Sequence, residues 1–594
     1  MEMNELMKGG EFLVKETNAA NIFIAEEFDE EQSMIVDTCY DFLKQDVYPH
    51  FERIDSHEKG LMKSLIAKAG ELGLLGIAIP EELGGYEQSF LTTMRANEAI
   101  GSAHSYSVAF MAHTGIGTLP ILYYGTEEQK TKYIPDLASG EKAAAYCLTE
   151  PDAGSDANAG RSKAVLSEDG KHYILNGQKM WITNGGFADI LTVFAKIEND
   201  RILSAFIVER DWEGVEVSVE ENKMGIKGSS TTQVFFNDVK VPVENLLGKR
   251  GGGFRIAINI LHIGRIKLGA TVLGSCKRTI NNSVQYANER KQFGQLISNY
   301  GAIKHKLAEQ VIKTWTTESA VYRATADIQK HIEKYKAEGM EHGSAVIQAN
   351  ADFQVECAMM KVLGSESLDY IFDEGVQIFG GMGFSAEAPV DRAYRDSRIN
   401  RIFEGTNEIN RLWASDNIIK KGMKGNAALK AECAVALENL DSVPEKVDFK
   451  EGYYENKKDI ISRMKKAVIL IIAAAHESFG RKLSFEQEVL FNIADMMIEI
   501  YTAESTILRV EKLEGMNGAG SVKLYKDIVD VYTYDIASNV TKYAKDAIYS
   551  FIEQADQEKY LRAICYYTRV QGVNVKDARR RLANKLIDDN VYKF

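Results

Sequence analysis

The chain of 594 residues predicts a mainly α-helical fold with one small all-β domain set into it. Three observations carry this. Apolar residues recur at helical spacing over residues 30–140, short β-branched runs alternate over 145–250, and the helical period returns from Phe254 onward. In the first stretch Phe42, Leu43, Val47, Leu61, Leu65, Leu72, Leu74 and Leu75 mark helices, with the breaker Pro80-Glu-Glu-Leu-Gly-Gly85 between them. They define an N-terminal helical domain, residues 1–145. The texture then changes. Tyr173-Ile174-Leu175, Leu191–Phe194, Ala205–Val208 and Gln233–Phe236 read as strands, with turns at Glu168-Asp169-Gly170, Asn176-Gly177 and Asn184-Gly185. They form a middle β domain, residues 146–253. Residues 254–423 read as a helix bundle, and residues 424–594 as an additional helical domain reached through a loop around Asp441–Glu451.

An internal echo links the last two regions. Residues 314–323 are Thr-Trp-Thr-Thr-Glu-Ser-Ala-Val-Tyr-Arg, and residues 500–509 are Ile-Tyr-Thr-Ala-Glu-Ser-Thr-Ile-Leu-Arg. Chance likeness between two amphipathic helices is one explanation and a duplicated bundle is the other. In the second case the copy is free of chemistry, because it has no counterpart of the segment around Glu404.

Composition narrows the function. With 45% hydrophobic and 26% charged residues the chain is an ordinary soluble globular protein, long enough for three or four domains. A formal charge of −14 without a basic stripe excludes nucleic acid as an expected partner. Cys39, Cys147, Cys276, Cys357, Cys433 and Cys565 include no CxxC pair, so they are expected as buried thiols in a reducing compartment, with no metal site. The N-terminus Met-Glu-Met-Asn-Glu lacks the marks of a signal or transit peptide. The most apolar run, Ala467–Ala475, falls short of the roughly 20 residues of a membrane span. It reads as a core helix, with a helix lying on a membrane surface as the lesser alternative. The bacterial cytoplasm is the simplest address, although a processed organelle protein would look similar.

Five segments carry candidate chemistry. Residues 401–412, Arg-Ile-Phe-Glu-Gly-Thr-Asn-Glu-Ile-Asn-Arg-Leu, set Glu404 between an apolar pair and a glycine. Ile402 and Phe403 partly strip it of water, which raises a carboxyl pKa toward the range of a general base. Gly405 permits a tight turn, and Thr406 or Asn407 caps a helix running through Ile409, Leu412 and Trp413. Taken alone, this segment fits a solvated glutamate beside a helix start even better. In Ala145-Tyr-Cys-Leu-Thr-Glu-Pro-Asp-Ala-Gly-Ser-Asp156, Gly154 and Ser155 let backbone amides approach a ligand. Met180-Trp-Ile-Thr-Asn-Gly-Gly186 places Trp181 and Thr183 on one strand face, which suits an aromatic cofactor as well as it suits a core tryptophan. Glu289-Arg-Lys-Gln-Phe-Gly294 offers the Arg290 guanidinium to a pyrophosphate. Val376–Phe384 is Gly-rich, but it is not G-x-G-x-x-G and follows a helix pattern, so a Rossmann reading fails. The amides of Gly380 and Gly381 can still receive phosphate oxygens.

Together these strings resemble the acyl-CoA dehydrogenase family over roughly residues 30–420, in the family's order and spacing: Tyr-Cys-Leu-Thr-Glu-Pro-x-Ala-Gly-Ser-Asp, Met-Trp-Ile-Thr-Asn-Gly, Glu-Arg-x-x-Phe-Gly, Gln-x-x-Gly-Gly-x-Gly and Phe-Glu-Gly-Thr-Asn. The resemblance implies a helical domain, a β-barrel and a four-helix bundle. The additional helical domain looks like that of the very-long-chain branch, whose members are homodimers. It further implies FAD as cofactor, with Leu148 and Thr149 lining the flavin, Trp181 covering it and Thr183 bonding near its N5. Arg290, Gln292, Gln377, Gly380 and Gly381 would hold the adenine and pyrophosphate of the partner subunit's FAD, while Thr406 and Glu408 contact FAD from their own subunit. Ser155, Arg265 and Phe403 are the expected substrate contacts, and Glu404 the base. Relatives with a relocated base place a glutamate just before an arginine in the first bundle helix. Here that pair is Gly264-Arg265, which leaves Glu404.

The implied reaction is α,β-dehydrogenation of fatty acyl-CoA, the first step of β-oxidation, with electrons passing to an electron-transfer flavoprotein. An acyl-CoA oxidase that uses oxygen, or an assembly factor for a respiratory complex with vestigial activity, are the alternatives. Chain length is not legible from the residues: the additional domain implies long substrates by resemblance only, and the pocket floor, somewhere near Ser105 to Ala112, does not align. Residues 424–450 are short and rather acidic, which argues against the membrane docking of very-long-chain relatives.

Overall fold

The computed structural model describes residues 6–424 and 427–594. Its N-terminal part is helical, with main helices Glu30–Phe42, Leu61–Glu71, Phe90–Gly101, Ser105–Met111, Leu119–Tyr124 and Glu127–Ser139. Capping explains where several begin. The Asp29 carboxylate accepts from the Gln32 N–H while the Gln32 side chain reaches back, and Thr126 and Gln129 repeat the arrangement. Between two of these helices, Ala112–Gly117 forms a π-helical turn, an irregularity that recurs at functional sites.

The β domain contains β1 (Ala144–Cys147), β2 (Lys163–Leu166), β3 (His172–Thr183), β4 (Ile190–Ile197), β5 (Ser204–Glu209), β6 (Val215–Val217), β7 (Thr231–Pro242) and β8 (Leu246–Leu247). The barrel is an open one. Its hydrogen-bonded path runs β6-β7-β3-β2-β4-β5-β8, and β1 branches off β4 in parallel. The β3–β7 ladder is interrupted between Lys179 and Ile182, and Trp181 sits there with φ of 59°. A bulge with a left-handed aromatic residue is a strained feature of the kind found next to active sites.

The first bundle consists of Gly253–Glu289, Gly301–Ala337, Gln354–Phe379 with the short helix His342–Asp352 before it, and Asn407–Lys424. Gly253–Glu289 is apolar enough to span a membrane by length and composition, but 72% of its most apolar window is buried inside the protein. It is the central core helix. The second bundle is built on Tyr453–Phe479, Gln487–Asn517 and Lys523–Phe551, with Gln554–Tyr567 and Val575–Asp589 alongside. The apolar run Ala467–Ala475 is buried in the first of these. Leu429, Cys433, Leu440 and Val443, from the acidic connecting stretch, are buried too. One expectation fails: five cysteines are buried, but Cys565 is exposed, because it lies on the outer face of a peripheral helix.

The echoed segments face each other, and their contacts are reciprocal. Arg323 pairs with Glu504 at 3.0 Å, donates to Ser505 Oγ at 3.1 Å and lies 4.6 Å from the Tyr501 ring. Arg509 pairs with Glu318 at 2.8 Å, donates to Ser319 Oγ at 3.1 Å and lies 4.1 Å from the Trp315 ring. Each of these three contacts maps onto its counterpart when 314–323 is laid on 500–509, while Arg509 alone also pairs with Glu26. That is the exchange rule of a two-fold interface, here within one chain. It favours the duplicated bundle over chance likeness.

Candidate active site

Glu404 follows a 3-10 turn, Arg398–Arg401, and precedes the helix Asn407–Lys424. Its φ is 57° and that of Gly405 is 80°. Left-handed backbone is costly for a glutamate, so it persists only where the surroundings fix it. Three side chains do so by capping the turn's carbonyls. Arg265 Nε donates to the Glu404 carbonyl at 3.3 Å, and Lys361 Nζ to the Gly405 carbonyl at 2.8 Å. Asn410 Nδ2 donates to the Gly405 and Thr406 carbonyls at 2.8 and 3.0 Å. The Thr406 hydroxyl then accepts from the Ile409 N–H, the expected helix cap.

The carboxyl is left free by this arrangement. Its Oε2 is buried and has no hydrogen-bond partner among the described residues, and nothing among them accepts from the Glu404 N–H. Burial pushes the Glu404 pKa up to about 7, against the opposing pull of Arg265, Lys361 and Lys267. Burial likewise lowers Lys361 to about 7, with Glu404 partly offsetting it. Gly264 makes room for the carboxyl: a Cβ there would lie 2.7 Å from Oε2. The position open to a relocated base and Glu404 therefore converge on one point in space.

The Glu404 carboxyl lines a cavity with Phe403, Thr183, Gly264, Met111 and Leu368 among its walls. Ser107, Val108 and Ala112, from the stretch where the pocket floor was expected, line it too. His104, itself left-handed, and Asp396 also line it and meet at 3.3 Å. Arg265 departs from its expected role as a substrate contact. It is buried behind the turn, bonding the Glu404 carbonyl, with its guanidinium 5.4 Å from the Trp413 ring. Ser155 lies on an exposed loop and does not line the cavity.

The residues expected around a flavin fall into two groups. Of Leu148, Thr149, Trp181, Thr183, Thr406 and Glu408, only Thr183 lines the cavity; Trp181 precedes it by two residues on β3, and Thr406 and Glu408 follow Glu404 on the turn and the helix it starts. The Thr149 carbonyl accepts from the Met180 N–H, Trp181 is 52% exposed, and Thr183 is on the cavity wall. Arg290, Gln292, Gln377, Gly380 and Gly381 are all exposed, and none lines the cavity. A stack of Tyr286 on Phe379 at 4.1 Å ties together the two helix ends that carry this second group. Phe293 and Phe384 beside it are 94% and 91% exposed.

Known proteins share this organisation. Family models described as the acyl-CoA dehydrogenase N-terminal, middle and C-terminal domains match residues 29–141, 145–239 and 251–419. A further acyl-CoA dehydrogenase C-terminal domain model matches 463–565, within the second bundle. A probable acyl-CoA dehydrogenase of Bacillus subtilis is 41% identical over 99% of both chains. The chain belongs to the acyl-CoA dehydrogenase family. A Bacillus anthracis acyl-CoA dehydrogenase solved with FAD superposes with a TM-score of 0.96 at 42% identity, covering 99% of this chain and all of that one. The very long-chain specific mitochondrial enzyme of Rattus norvegicus is 44% identical over 63% of this chain and 57% of its own length.

As an acyl-CoA dehydrogenase the protein is an FAD-dependent oxidoreductase, and its residues fit that cofactor. An exposed indole stands two residues from a cavity hydroxyl. A Cβ at Gly380 or Gly381 would meet nothing within 4 Å, so a ligand can approach the backbone there, but the Gly380 amide, expected to receive a phosphate oxygen, instead donates to the Gln377 carbonyl as the helix ends. Sequence reasoning missed Lys361, Asn410 and Lys267. The one available signal was a lysine inside an apolar helical stripe, as in Met359-Met360-Lys361-Val362 and Arg265-Ile266-Lys267-Leu268.

Proposed function

We propose that the chain oxidises long-chain fatty acyl-CoA thioesters to trans-2-enoyl-CoA, the opening step of β-oxidation, and passes electrons to an electron-transfer flavoprotein. The Glu404 carboxyl carries this reading: buried, with one oxygen unpartnered, fixed in a left-handed turn and facing a largely apolar cavity. Bound FAD supplies the hydride acceptor. Glu404 takes the α-proton, and a pKa near 7 suits a base that works at neutral pH. Its unpartnered backbone N–H donates to the thioester carbonyl as enolate charge develops. Phe403 and the aliphatic walls exclude water.

The length preference rests on the cavity. Its lining follows the first bundle helix from Ile260 to Ser275, which at 1.5 Å per residue is roughly 22 Å. Gly101, Ser107, Ala112 and Gly115 leave space along it. The exposed group around Arg290 and Gly380, flanked by Phe293 and Phe384, supports a homodimer in which each subunit reaches the other's FAD. Six unpaired cysteines support the cytoplasm as its compartment. The test is anaerobic mixing of the holoenzyme with saturated acyl-CoAs of increasing length while flavin bleaching is followed. Bleaching should be fastest with long chains; no bleaching at any length would refute the activity, and a short-chain optimum would refute the length preference.

A further inference from the structure

Lys267 is the one ammonium on the cavity wall among the described residues. It stands one helical turn beyond Gly264, the residue against which the Glu404 carboxyl lies. It is 3% exposed, and its Nζ has one hydrogen-bond partner, Thr114 Oγ1 at 2.9 Å. The Thr114 hydroxyl donates onward to the Phe110 carbonyl at 2.9 Å, so it has only lone pairs to offer the amine. Thr114 belongs to the π-helical turn Ala112–Gly117, and a Cβ on the neighbouring Gly115 would come within 3.3 Å of Nζ. The amine is thus tethered in a tight space with donors to spare. Packing alone does not call for a cation here, since a methionine fills the same volume without the cost of burying charge.

Three other titratable groups face Glu404: Arg265 from the same helix, Lys361 from Gln354–Phe379 and Tyr146 from β1. Arg265 and Lys361 direct hydrogen bonds to the turn's carbonyls, and the Tyr146 hydroxyl is buried with no hydrogen-bond partner among the described residues. Of these cations, Lys267 alone lines the cavity with the Glu404 carboxyl, its field reaching the carboxyl without an ion pair. We propose that Lys267, tethered through Thr114, is a positioning residue that holds Glu404 in its ionised, proton-accepting form. This rests on Glu404 being the base. Burial lowers Lys267 to about 7, and the Glu404 carboxylate partly offsets that. The ammonium favours the carboxylate, so removing it raises the Glu404 pKa.

The experiment is the pH profile of anaerobic flavin reduction by acyl-CoA in FAD-loaded holoenzyme. Lys267→Met should move the acid limb up by about one pH unit, the lower end of what a nearby opposite charge produces, with the alkaline plateau kept in the same order of magnitude. Thr114→Val should move it the same way, and Thr114→Ser, which keeps the hydroxyl, should leave it in place. An unmoved limb, or a loss equal at every pH, would reduce Lys267 to a packing group. If Lys267→Met does not load FAD, the two Thr114 variants decide the matter in the same terms. Glu404→Gln serves as the control: if it retains the wild-type profile, the base assignment fails, and not merely the role of Lys267.

Discussion

The interface between the two bundles and the turn at Glu404 both bury carboxylates beside several cations, and the outcomes are opposite. At the interface Glu318 meets Lys277 at 2.5 Å and Arg509 at 2.8 Å. Burial raises its pKa, but Lys277, Arg509 and Arg95 outweigh that and pull it down to about 2. At the turn, Arg265 and Lys361 bond backbone carbonyls instead of the carboxyl, and burial wins. The difference lies in where the donors point. A carboxylate whose oxygens are satisfied is structural, whereas one whose neighbours hold only its backbone is left able to take a proton. The second bundle copies the first kind of site, through Glu504 with Arg323 and Lys465, and among the described residues has no copy of the second.

The largest effect expected from breaking this contrast is at the interface. Arg323→Met and Arg509→Met should each cost about 3 kcal/mol, the low end for breaking a buried pair, because Lys465 and Lys277 remain beside the stranded glutamates. Both should lower the apparent thermal midpoint, with bleaching by acyl-CoA retained at low temperature, and Arg509→Met should lower it more because it also strands Glu26, held by Arg509 at 2.7 Å. A clearly larger cost at Arg323 would break the two-fold account. Next in size is Gly264→Ala. Its new Cβ would displace the Glu404 carboxyl, slowing flavin reduction about 10²-fold, as an ångström-scale misplacement does, while FAD content stays unchanged. A rate near wild type would show that the carboxyl position is not critical. The smallest effect is expected at the brace between the bundles. Asp495 meets Arg411 Nε at 2.7 Å, but Glu366 already holds that guanidinium through both terminal nitrogens. Asp495→Asn should cost no more than about 1 kcal/mol and leave the bleaching rate alone. A clear rate loss would mean that the second bundle takes part in the chemistry.

Much of this was legible in the sequence because it is periodic or local. Helical and alternating patterns show the layers, and the echo at 314–323 and 500–509 shows the duplication once both copies are known to be buried. Glu404 was legible only with the five strings together, since its apolar flank and the following glycine alone fit a solvated glutamate better. The clamp around it was not. Lys361 and Lys267 lie 43 and 137 residues from Glu404, and their roles come from helix packing that no local pattern encodes. Arg265 was expected at the substrate on the family resemblance, but its side chain donates to the Glu404 carbonyl. The spacing of Trp181 and Thr183 suggested a plain strand; the bulge that exposes the indole depends on pairing with β7.

The central claim is that Glu404 removes the α-proton, and the most direct measurement compares wild type with Glu404→Gln on anaerobic mixing with a long-chain acyl-CoA. The variant keeps shape and volume and should bind FAD normally. Its flavin should bleach slower by more than the ~10²–10⁴ typical of losing a general base. Bleaching near the wild-type rate would assign the proton to another group and contradict the account.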